Sequence, residues 1–72
     1  MTKQLLYYAD IICEKIDMHA DAFVKRIEAL QKGDVGKVEF IENMMLKPLN
    51  DQITYLANKA ISLGKKEKQN GQ

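Results

Sequence analysis

Residues 31–40, Gln31-Lys32-Gly33-Asp34-Val35-Gly36-Lys37-Val38-Glu39-Phe40, decide how this chain folds. The glycines and lysine have the look of a phosphate-cradling loop. A Walker loop needs four residues between its glycines, Ser or Thr after the lysine, and a strand in front. Here two residues separate the glycines, Val38 follows Lys37, and a helical pattern precedes. The segment reads instead as a hinge. Gly33 suits a left-handed helix C-cap, and the Asp34 carboxylate can cap the helix that follows.

Upstream of the hinge, Leu5, Ala9, Ile12, Ile16, Ala20, Phe23, Ile27 and Leu30 recur at steps of four and three. This is the stripe of an amphipathic helix spanning residues 3–32. Asp10, Glu14, Asp17, Asp21, Lys25, Glu28 and Lys32 form the opposite face. Asp21 with Lys25, and Glu28 with Lys32, are acid-before-base pairs at i,i+4. Downstream, Val38, Ile41, Met45, Leu49, Ile53, Leu56, Ala60 and Leu63 predict a second helix over 37–63, after a turn at 33–36. Gly64 is expected to end it, leaving residues 65–72 as a disordered polar tail. Pro48 predicts a kink, or a break into 37–46 and 48–63, without loss of direction. The fold class is all-α: an antiparallel hairpin of two long helices over residues 1–64.

The 72 residues bound this to one small domain with a marginal core. Apolar residues are 46% and charged residues 29%, which suits a folded chain rather than a disordered one. A formal charge of +1 gives no strong pull toward nucleic acid or anionic membrane. The apolar stretch at 5–9 is interrupted by Asp10, so it is no secretory signal, and nothing approaches a membrane span. With Cys13 as the lone cysteine, a reducing cytoplasm is the expected location.

Catalytic and metal-binding chemistry find no support, and no cofactor is expected. Cys13 and His19 lie six residues apart, about 120° around a helix, so they cannot form a dyad. Cys13 reads as a small buried residue and His19 as a half-buried packing residue. Glu14, Asp17 and Asp21 read as a solvated face, not a ligand set.

The surplus of apolar side chains carries the functional reading. Leu6, Tyr7, Tyr8, Ile11, Cys13 and Met18 lie off the first stripe, and Phe40, Met44, Leu46, Tyr55 and Ile61 lie off the second. Two helices can hide only one stripe each, and their mutual contact does not offset the entropy of ordering about 60 residues. A partner must cover the rest, through a homodimeric four-helix bundle or a heterologous helix laid in a groove. Met18, Met44 and Met45 either fill gaps in a core or line such a groove.

The chain is similar in length and design to two families of helical hairpins. One is the plasmid regulator Rop, a dimer of hairpins that binds paired RNA loops and shares the opening Met1-Thr2-Lys3-Gln4. That family's RNA-reading stripe on helix 1 bears basic, amide and aromatic residues, whereas the outward stripe here is Asp10, Glu14, Asp17 and Asp21, which repel phosphate. The stretch ALQKGDVGKVEFIENMMLKPLNDQITYLANKAI also resembles the small cytoplasmic co-chaperones of type III secretion needle subunits. That resemblance implies a non-enzymatic subunit that masks apolar surface together with a companion chaperone. Leu5, Tyr8, Ile11, Ile12, Phe23, Phe40, Met44 and Tyr55 would then contact the partner. An RNA-binding dimer or a purely structural bundle are the alternatives.

Overall fold

The computed structural model describes residues 3–70, with side chains as far as Lys66. Every element among them is helical: α1 (Lys3–Gln31), α2 (Val35–Ile41), a π-helical turn (Glu42–Leu46) and α3 (Lys47–Asn70). The last three run on as one arm that folds back along α1, giving a rod of 57 × 15 × 12 Å. The all-α antiparallel hairpin expected from the sequence is the fold.

The hinge is tighter than the sequence reading. Gly33 has φ +72°. Its N–H donates to the Leu30 carbonyl at 3.0 Å, and the Asp34 N–H donates to the Ala29 carbonyl at 2.9 Å. This is a Schellman closure, which satisfies carbonyls that α1 leaves open. Asp34 then caps α2 by accepting from the Lys37 N–H at 3.1 Å. The Val38 N–H already reaches the Asp34 carbonyl at 3.1 Å, so α2 starts at Val35 and Gly36 is helical. The expected turn over 33–36 is thus shifted: Lys32, Gly33 and Asp34 separate α1 from α2, and Val35 and Gly36 belong to α2.

The irregularity expected at Pro48 is present just upstream of it, and the arm keeps its direction: α2 gives way to a π turn, and α3 opens at Lys47 with Pro48 second. The arm widens upstream into a π turn, where the Lys47 N–H donates to the Glu42 carbonyl five residues back. In a regular α-helix the proline ring would crowd the Met44 carbonyl, a clash that a wider turn at this place relieves. It also repairs the stripe. Ile41, Met45, Leu49 and Ile53 are each four residues apart, and every such step overshoots an α-helical turn by about 40°. One inserted residue brings the side chains back into line.

Gly64 does not end the second arm. It stays helical and α3 continues to Asn70, so residues 65–70 are helix and only Gly71 and Gln72 of the expected tail lie outside the described residues. Nothing stands within 4 Å of where a Cβ would be on Gly64. The residue therefore meets no steric demand that would turn the chain.

The core is the seam between the arms. From the second arm it takes the predicted stripe, with Val38, Ile41 and Leu49 buried and Met45, Ile53, Leu56, Ala60 and Leu63 half-buried. From α1 it takes an unexpected line: Leu5, Tyr8, Ile12, Lys15, His19, Ala22, Arg26 and Ala29. Their spacing, three and four residues in strict alternation, is that of a coiled-coil seam. Ala22 and Ala29 are the most buried of them, at 1% and 2% exposure. These small residues allow close approach of the large Val38, Ile41 and Leu49, where the tight hinge forces the arms together.

Candidate partner-binding faces

One residue step around a helix moves a side chain about 100°. On two antiparallel helices, stepping forward from the seam leads to the same side of the pair, and stepping back leads to the other. The hairpin therefore has two long sides, and they differ in character.

The residues that follow the seam on α1 are Leu6, Ala9, Cys13, Ile16, Ala20, Phe23, Ile27 and Leu30. All eight are apolar, in unbroken heptad spacing, and all are exposed. Ile16, Phe23, Ile27 and Leu30 retain 48%, 45%, 40% and 51% of their surface in water. These four belong to the stripe that sequence reading assigned to the core, and the structure corrects that assignment. Cys13 is likewise exposed rather than buried. On the second arm the same side carries Glu39, Glu42, Leu46, Asn50, Thr54, Ala57, Ile61 and Gly64, so this flat face is wholly apolar on α1 and mixed on the second arm, with its charge confined to the hinge end.

The residues that precede the seam line a groove on the opposite side. Ile11, Lys15, Asp51, Gln52, Tyr55 and Leu56 enclose one section of about 420 Å³. Lys15 and Gln52 continue into the next section, where Met18, Met44 and Met45 gather around Pro48 and Leu49. Met18 and Met44 are 53% and 65% exposed. Met18 and Met44 thus line an open groove, while Met45 spans its floor and the seam core. Towards the far end Tyr8 and Gln4 face Lys59, Ser62, Leu63 and Lys66. The Lys59 ammonium sits over the Tyr55 ring, 5.5 Å from its centroid, a cation–π contact that holds a positive charge at the groove edge.

The eight residues expected at a partner interface divide among these places. Tyr8, Ile11, Met44 and Tyr55 line the groove. Phe40, exposed just before the seam residue Ile41, lies on the groove side. Phe23 lies on the flat side. Leu5 and Ile12 are half-buried in the seam between the arms, where they already have partners within the chain.

Polar contacts across the seam are few. Arg26 Nε donates to Glu42 Oε1 at 2.7 Å, which ties α1 to the π turn. Sequence reasoning missed this pair, since nothing in the order of residues sets Arg26 opposite Glu42. The expected Asp21–Lys25 pair forms at 3.5 Å, while Glu28–Lys32 does not close. His19 is half-buried in the seam, and Glu14, Asp17 and Asp21 are exposed. Among the described residues no cluster of three or more potential metal ligands occurs, and no helix is long and apolar enough to cross a membrane.

The exposed area fits a molecule with surface to cover. A compact monomer of 8.2 kDa exposes about 4,500 Å². This chain exposes 5,637 Å². The difference, about 1,100 Å², goes with the elongated 57 × 15 × 12 Å rod, which leaves much of each helix uncovered. Comparison with protein families, curated proteins and solved structures finds no match to this chain.

Proposed function

We propose that the protein is a non-enzymatic adaptor or chaperone subunit that masks an apolar helical segment of a partner protein in its methionine-lined groove. The observation that carries this reading is the open run from Tyr8 through Ile11, Met18, Met44 and Met45 to Tyr55, apolar along its floor and long enough for several helical turns. Methionine side chains are flexible and polarisable, so such a floor adapts to partners whose side chains match it imperfectly. Masking needs no chemistry. A covered apolar helix cannot nucleate unwanted assembly.

Charge narrows the partner. Lys15, Lys59 and Lys66 line the groove with Asp51 as the one carboxylate in its lining, while Glu14, Asp21 and Glu28 stand on the same side of α1. The favoured occupant is an amphipathic helix with an apolar stripe and acidic flanks. A secretion needle subunit held in the cytoplasm, with a second chaperone, is the form of this reading that the resemblance to co-chaperones suggests.

Titration of the full chain with fluorescent amphipathic helical peptides, one acidic-flanked and one basic-flanked, tests the reading. The acidic-flanked peptide is expected to bind more tightly, and Met44→Asp or Tyr8→Asp to weaken it at least tenfold. Failure of both peptides to bind would remove the proposal.

A further inference from the structure

The flat face makes no use of the groove, and its occupant can be argued separately. We infer that it is covered by a second copy of this chain, with α1 packed antiparallel on α1 of the copy to give a four-helix bundle. Two observations carry the inference: the order of large and small side chains along the face, and its area.

In an antiparallel pair centred near Met18, residue i meets residue 36 − i of the other chain. Ala9 then meets Ile27, Cys13 meets Phe23, and Ile16 meets Ala20. These three inner pairs each set a small side chain against a large one, Leu6 meets Leu30 at the ends, and the same pairs recur on the other side of the two-fold axis, as an isologous interface requires. Small-against-large pairing about the axis lets two helices approach closely there without voids. The face carries this complementarity to itself within a single sequence.

The area suffices. From Leu6 to Leu30 the face runs about 36 Å along the helix. Two helices roughly 9 Å apart make it about 18 Å wide. Each copy thus covers about 650 Å², or about 1,300 Å² in total, within the range of stable interfaces. The groove with Met18 and Met44 stays open on the outside of the bundle, so partner binding and self-pairing are compatible.

One charge contact opposes the arrangement. Asp17 flanks the face and approaches Asp17 of the second copy beside the axis, with Asp10 on the same acidic side. Like charges near a surface repel less as salt rises. Association through this face is therefore expected to tighten between about 0.05 M and about 0.5 M salt, opposite to the behaviour of a nucleic-acid contact.

Sedimentation of the full chain over a range of concentration and salt is the test. The expected result is a monomer–dimer equilibrium that tightens with salt and with Asp17→Asn. Phe23→Asp and Ile16→Asp should give helical monomers, while Met44→Asp should remain dimeric. A Phe23→Cys variant under mild oxidant should form dimers bridged from Cys13 to position 23. Those positions lie about 15 Å apart along one helix and cannot join within a chain. A helical monomer at every concentration, or a dimer broken by Met44→Asp and not by Phe23→Asp, would overturn the inference. So would bridging of Cys13 to Cys13. Peptide binding by the Phe23→Asp monomer is a separate readout, so the groove and the flat face stand or fall independently.

Discussion

The two arms of the hairpin carry stripes of similar quality, yet they use them in opposite ways. The second arm turns its stripe inward, where Val38, Ile41 and Leu49 are 8%, 2% and 8% exposed. The first arm presents Lys15, His19, Ala22, Arg26 and Ala29 to the seam and turns Ile16, Phe23, Ile27 and Leu30 to water. The lesson is that the most apolar stripe of a helix need not be its core-facing one. Hinge geometry selects the inward face, and where the arms are closest, alanine fits better than phenylalanine.

Paired substitutions sharpen that contrast most strongly. Ile41→Ala should cost about 2–5 kcal/mol, because a side chain is deleted from the one well-packed part of the seam. Ile27→Ala should cost less, about 1 kcal/mol, when urea unfolding is followed at a concentration that keeps chains apart, since Ile27 lies outside the seam and keeps 40% of its surface in water. Equal costs would mean that the α1 stripe is buried after all.

The two hinge-like glycines give a second contrast, smaller and of opposite sign. Gly33→Ala forces a Cβ into a left-handed residue and should destabilise by about 1–2 kcal/mol. Gly64→Ala replaces a helical glycine whose Cβ direction is open, and should stabilise by about 0.5–1 kcal/mol. Thermal melts of the two variants should move in opposite directions from the parent. If both fell, Gly64 would not be helical.

The smallest effect expected is at the polar tie between the arms. Glu42→Gln keeps the shape of the partner to Arg26 but removes its charge. The side chains are 28% and 38% exposed, so solvent screens the pair and the loss should be about 0.5–1 kcal/mol, reduced further in high salt. A larger, salt-insensitive loss would show that the π turn depends on this contact.

Much of the hinge was legible in advance. Gly33 as a left-handed cap and Asp34 as the next N-cap follow from residue type, since so few residues can take those conformations. Pro48 announced an irregularity, and the repeated four-residue steps from Ile41 to Ile53 held the signal for a wider turn, although periodicity at a fixed 3.6 residues passes over it. The methionines Met18, Met44 and Met45 were visible as candidates, but only folding puts the first beside the other two.

The sequence by itself determined that this chain is two amphipathic helices joined at Gly33 and Asp34, with more apolar surface than a hairpin can hide. Those properties depend on local propensity and periodicity, which each segment carries alone. Which face of α1 is hidden, and hence that its complete apolar heptad lies bare while a methionine groove opens opposite, was decided by tertiary structure. It follows from how closely two specific helix surfaces can approach once the hinge fixes their angle, and that depends on both arms together.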